Sequence, residues 1–69
     1  MNKNLIGYRH MLNLTQSQMA FKLGMSPVSY CHKETGKKDF TQTEIEETMK
    51  LLKEKRPELT YEEVFIRGN

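Results

Sequence analysis

The chain has 69 residues, 36% of them hydrophobic, with one Cys, no Trp and a formal net charge of +2. That length supports one small core, which excludes two ordinary domains and most enzymes built around a deep cleft. The single Cys31 excludes an internal disulfide framework and any multi-cysteine zinc site; no run of about 18 apolar residues exists to span a membrane, and the opening Met1-Asn2-Lys3-Asn4-Leu5-Ile6 lacks the apolar stretch of a secretory signal.

Leu5, Tyr8 and Leu12 recur at i, i+3, i+7 and predict a first helix near 3–12. Asn13 follows it, a residue that tolerates the left-handed conformation at helix ends. Gly7 inside this helix costs roughly 1 kcal/mol against Ala; either it permits close packing or it is a tolerated flaw. Thr15-Gln16-Ser17-Gln18 forms a capping box, in which the Thr hydroxyl takes a free backbone N–H and the residue three later reaches back to the cap. Leu14 and Met19 flank it as a hydrophobic staple. Met19, Ala20 and Leu23 then predict a short helix over 16–23, closed by Gly24. Ser26-Pro27 starts the next, with Pro at the first helical position where its missing N–H costs nothing; the staple is Met25 with Tyr30. This third helix covers about 27–34 and closes at Gly36.

Thr41-Gln42-Thr43-Glu44 is a second capping box, stapled by Phe40 and Ile45. Ile45, Met49 and Leu52 predict a fourth helix near 42–54, bounded by Pro57. Glu44, Glu46 and Glu47 sit at its start, where negative charge suits the helix dipole. Thr60-Tyr61-Glu62-Glu63 is a third box, stapled by Leu59 and Val64, and Tyr61, Val64 and Phe65 mark a brief fifth helix. No segment alternates with period two, so the fold is expected to be all-α. Met11, Met19, Met25 and Met49 are expected as adaptable core filler.

Divided by half, the charge is more informative than its total. Residues 1–38 hold six Lys and Arg against Glu34, a balance of +5; residues 39–69 hold five against Asp39 and seven Glu, a balance of −3. Such asymmetry suits a polyanion-facing half and a separate acidic face, or simply an unevenly solvated surface.

The second and third helices are joined by Leu23-Gly24-Met25-Ser26, a short Gly-containing turn of the helix-turn-helix type, here at about 16–34. Ala20 would sit where the two helices cross, Gly24 would take positive φ without steric cost, and Met25 and Tyr30 would bury against the first helix. The run from Leu14 to Ser26, Leu-Thr-Gln-Ser-Gln-Met-Ala-Phe-Lys-Leu-Gly-Met-Ser, resembles the phage repressor and Cro-like helix-turn-helix family, and Glu34-Thr35-Gly36-Lys37-Lys38 resembles that family's Glu-x-Gly-Lys-Arg/Lys segment. The resemblance spans roughly residues 4–66. It implies a compact five-helix, lambda-repressor-like DNA-binding domain, usually dimeric, whose third helix enters the major groove of double-stranded operator DNA. It also implies a transcriptional role in the lysis–lysogeny switch and a place in the bacterial host cytoplasm.

Carried over by position, the resemblance makes Gln16 a phosphate contact that braces the third helix, Lys37 and Lys38 backbone-neutralising residues, and Arg9 with Glu34 an ion bridge beneath the motif. The expected DNA-contacting set is Gln16, Ser17, Lys22, Pro27, Val28, Ser29, His32, Lys33, Lys37 and Lys38. Two departures stand out. Lys33 replaces a usually apolar residue, so it either snorkels or adds a phosphate contact, and Phe40 replaces a common Pro. Base reading favours Arg, Lys, Asn or Gln, whereas the outward positions of the third helix hold Pro27, Val28, Ser29, Cys31 and His32. Two functions are consistent with this. One is a Cro-like regulator whose affinity comes mostly from phosphates. The other is an anti-repressor that docks on a phage repressor protein through Pro27, Val28, Tyr30 and Cys31. Tyr61, Phe65 and Ile66 of the fifth helix either finish the core or expose an interface for a homodimer. Adjacent Cys31 and His32, with His10 distant, match no zinc or catalytic spacing. No phosphate-cradling Gly loop or nucleophile elbow appears. Neither a cofactor nor an enzymatic activity is expected.

Overall fold

Three of the four α-helices start at a side-chain cap, and the first three end at a left-handed residue. The computed structural model describes residues 2–66. It contains α1 (Lys3–Met11), α2 (Gln16–Lys22), α3 (Pro27–Glu34), α4 (Gln42–Lys53) and a π-helical turn at Glu62–Ile66. No strand occurs among the described residues, and the architecture is all-α. No helix is long and apolar enough to cross a membrane among those residues.

The starts obey the capping grammar. Thr15 and Thr41 each accept from the backbone N–H three residues on, while Gln18 and Glu44 return the bond to the cap. Ser26 accepts from the Ser29 N–H at 3.1 Å, with Pro27 at the first position of α3. Thr60 and Glu63 make the same reciprocal pair at 3.1 and 3.2 Å. Beyond Thr60 the chain winds into a π-type turn rather than the ordinary short helix expected; within this wider turn the adjacent Val64 and Phe65 are both buried.

The first three helices end alike. Asn13, Gly24 and Gly36 take φ of 59°, 72° and 93°. After each, the next N–H reaches back to the carbonyl of the third residue from the helix end: Leu14 to Arg9, Met25 to Ala20, and Lys37 to His32. With the companion bonds from Asn13 to His10, Gly24 to Phe21 and Gly36 to Lys33, each is a Schellman closure, which satisfies carbonyls that would otherwise be orphaned.

Two apolar clusters make the core. Leu5, Met49, Leu52, Leu59, Val64 and Phe65 form one; Met19, Ala20 and Tyr30 form the other, with Leu14, Leu23 and Met25 packed against it. Phe40 touches both clusters. Its ring stands edge-on to Tyr30 at 6.2 Å and to Phe65 at 5.4 Å. Asn4 ties α1 to the terminal turn by donating Nδ2 to the Glu63 carbonyl at 2.9 Å. The methionines divide: Met19 and Met49 are buried, whereas Met11 and Met25 are half-buried.

Gly7 lies exposed in α1, and a Cβ built there meets nothing within 4 Å. Close packing is therefore not its role. Gly7→Ala is expected to stabilise the protein by about 0.5–1 kcal/mol, through helix propensity and a smaller unfolded-state entropy, read as a rise in urea midpoint at constant slope. A lower midpoint would show that this position needs glycine in the native state.

Candidate nucleic-acid interface

The inner side of α3 is held by one carboxylate. Glu34 is fully buried and takes hydrogen bonds from four donors on three segments. Arg9 Nε donates to Oε2 at 2.8 Å and Arg9 Nη2 to Oε1 at 3.3 Å. Tyr30 Oη donates to Oε2 at 2.6 Å, and Gln16 Nε2 to Oε1 at 2.8 Å. Arg9 also donates Nη1 to the Leu14 carbonyl at 2.7 Å, so α1, the first turn, α2 and α3 meet at one ion pair. Burial pushes the Glu34 carboxyl up, but the bonds from Arg9, Tyr30 and Gln16 outweigh it and hold the group below its ordinary value. Burial foremost, and then the bond to Glu34, push the Tyr30 hydroxyl up, so it stays a donor. Asn2 adds a clamp that no sequence pattern indicated: its N–H and Nδ2 donate to the carbonyls of Glu34 and Lys33, each at 3.0 Å.

Helical spacing then decides what α3 presents outward. Tyr30 and Glu34, four apart, face in, so Val28 and His32, also four apart, lie on the other side with Ser29 beside them. Val28 and Pro27 are exposed; Ser29, Cys31 and His32 are half-buried. Lys37 and Lys38 both donate their backbone N–H to the His32 carbonyl, at 2.8 and 3.1 Å. That places two exposed lysines against the C-terminal end of α3. On α2, Ser17 and Lys22 are exposed and Gln16 is half-buried.

Three expectations are corrected. Lys33 is not a free phosphate contact: its ammonium donates to both Glu44 carboxylate oxygens at 2.6 and 2.7 Å, with only 13% of its side chain exposed. Burial raises the Glu44 carboxyl, and Lys33 together with the Thr41 N–H more than offsets that, leaving it low. Tyr30 is fully buried, as its place in the staple predicts and against its place on a docking edge, and Phe65 is buried as well, which is the core alternative for the fifth helix. Their side chains complete the core, and neither is available to a partner. Of the remaining residues expected at a protein interface, Tyr61 and Ile66 are exposed, with the Tyr61 ring stacked on Phe65 at 5.4 Å. Phe21 was not singled out by sequence and is the most exposed large apolar side chain among the described residues. The signal was present: Phe21 falls off the face of α2 marked by Met19, Ala20 and Leu23.

No group of His, Cys, Asp and Glu among the described residues is placed to hold a metal ion. No protein-family model, curated protein or solved structure matches the chain.

Proposed function

We propose that the chain is a small transcriptional regulator of the Cro type that binds double-stranded DNA with α3 in the major groove, acting in the bacterial cytoplasm on a phage-type switch. One observation carries this reading: the Glu34 hub locks the inner side of α3, while its other side, with Val28 exposed and Ser29 and His32 half-exposed, lies beside the Lys37–Lys38 pair. A helix held rigid against its own domain and open outward, with cations at its end, suits insertion between phosphate strands. The resemblance of Leu14–Ser26 and Glu34–Lys38 to repressor helix-turn-helix segments supports the same role. Ser29 and His32 supply hydrogen bonds in the groove, and Val28 suits a thymine methyl. None of these is a rigid two-pronged reader, so phosphate contacts dominate the affinity.

Titrating the protein onto DNA carrying its own promoter region is expected to give a mobility shift at low salt that fades steeply as salt rises, log K falling by about 0.9 per neutralised phosphate. No shift at low salt overturns direct binding. The second reading, an anti-repressor that docks on a repressor protein, is favoured by the exposure of Val28 and Phe21. It predicts stoichiometric binding to a phage repressor protein and a weak shift or none with DNA alone.

A further inference from the structure

Lys33, in the last turn of α3, belongs to the basic half of the chain; Glu44, in the first turn of α4, belongs to the acidic half. The two meet across the loop that carries Lys37 and Lys38, with the Lys33 ammonium on both Glu44 carboxylate oxygens. Only 13% of one side chain and 20% of the other are exposed, so salt screens this pair less than a surface contact. Lys33 stands four residues after Ser29 and shares its flank of α3, at the edge of the outward side. His32, the residue before it, supplies the carbonyl on which the backbone N–H groups of Lys37 and Lys38 converge. Three lysines thus gather at one end of α3. Two are exposed and the third is held by a carboxylate.

Two anionic oxygens on an ammonium are also what a DNA phosphate offers a lysine. Resting on the reading that α3 faces DNA, we propose that Glu44 is an intramolecular stand-in for a backbone phosphate: it withholds Lys33 from the DNA and keeps sequence-independent affinity low. The lysine stem is flexible, so an ammonium released from Glu44 is free to turn toward the strand that Lys37 and Lys38 meet. Glu44 then sets affinity through Lys33, without touching the nucleic acid itself. Its own helix does not require the charge. Gln18 holds the equivalent third position of α2 and returns the bond to its cap, so an amide at position 44 serves the Thr41 N–H as the carboxylate does.

Fluorescence anisotropy over a range of salt, on the promoter duplex and on an unrelated duplex of equal length, tests this with Glu44→Gln. With Lys33 released, the slope of log K against log salt is expected to steepen by about 0.9 on both duplexes, and affinity at 0.1 M salt to rise roughly 8-fold. Glu47→Gln removes the same charge from an exposed position one turn further along α4 and leaves the slope as it was. Lys33→Met combined with Glu44→Gln returns the slope to the native value. Lys33→Met alone also keeps the native slope, because the paired lysine holds no phosphate; this arm serves if circular dichroism shows that Glu44→Gln loses helix. A native slope in a folded Glu44→Gln protein overturns the proposal, as does an equal gain from Glu47→Gln, a gain that survives in the double variant, or a slope shallower by about 0.9 in Lys33→Met. In each of those cases the native protein still binds, and DNA binding by α3 stands. Failure of both the native and the Glu44→Gln protein to bind either duplex at low salt overturns DNA binding and this role of Glu44 together.

Discussion

Arg9→Ala is expected to cost about 3 kcal/mol of stability, near the lower end of the range for breaking a buried pair from one side. The pair is deeply shielded, with 9% and 1% of the two side chains exposed. Tyr30 and Gln16 continue to donate to Glu34, which keeps the loss from being larger. For a domain of this size each kcal/mol moves the melting temperature by about 4–8 °C, so the shift is roughly 12–24 °C. A shift below about 4 °C would show instead that the ion pair behaves like a screened surface contact. Because the penalty is that of a stranded charge, removing both charges is milder provided the buried Tyr30 hydroxyl goes with them: Arg9→Met with Glu34→Leu and Tyr30→Phe is expected to regain more than half of it.

Two carboxylates set the acid sensitivity, Glu34 in this hub and Glu44 beside Lys33. Glu34 and Glu44 are held below their ordinary value of 4.5 in the folded protein. A carboxyl held low contributes stability that is complete above the unfolded value and is lost as pH falls through the folded one. Melting temperature is therefore expected to stay level from neutrality down to about pH 5 and to fall below about pH 4.5. In the Arg9→Ala protein, burial no longer meets its main opponent at Glu34, so the acid-side loss shrinks. An equally steep acid limb in both proteins would locate the sensitivity elsewhere.

Replacing Lys37 and Lys38 together with Ala is expected to weaken DNA binding uniformly across sequences. If each neutralises one phosphate, the slope of log K against log salt falls by about 1.8, and affinity at 0.1 M salt drops roughly 60-fold. Folding is unaffected, because the turn is held by the backbone N–H groups of these residues and both side chains are exposed. An unchanged slope would remove the two lysines from the interface. His32→Ala, in contrast, would alter sequence preference and leave the slope in place.

Most of the helical layout was legible because it is written locally. Thr15, Ser26, Thr41 and Thr60 name the starts within four residues, and Asn13, Gly24 and Gly36 name three of the ends. The Arg9–Glu34 bridge was reachable only through the family resemblance, since no local pattern joins positions 25 apart. Its other donors were less visible. Tyr30 and Glu34 are spaced four apart on one helix, but burial, not spacing, turns that into a hydrogen bond. In the sequence Lys33 stands as an unpaired cation because its partner Glu44 lies across a loop, and Glu44 fits the dipole of α4 equally well. Phe40 looked like a departure from pattern; three-dimensional packing makes it the contact shared by the two apolar clusters. Exposure was least legible, since a sequence shows that Phe21 is off the inner face of α2 but not that nothing else in the chain covers it.

The turn between α2 and α3 has a consequence for how this protein can vary. Met25 completes the closure of α2 through its bond to the Ala20 carbonyl, and Ser26, the very next residue, caps α3. No spacer separates the two devices. One inserted residue would swing α3 by about 100° about its axis and carry Tyr30 and Glu34 away from their partners, while a deletion would remove a cap or a closure outright. Length is thus frozen here even though the segment is a loop, where insertions are ordinarily tolerated. Diversification of this surface has to proceed by exchanging side chains at Val28, Ser29 and His32, on a frame whose spacing cannot drift.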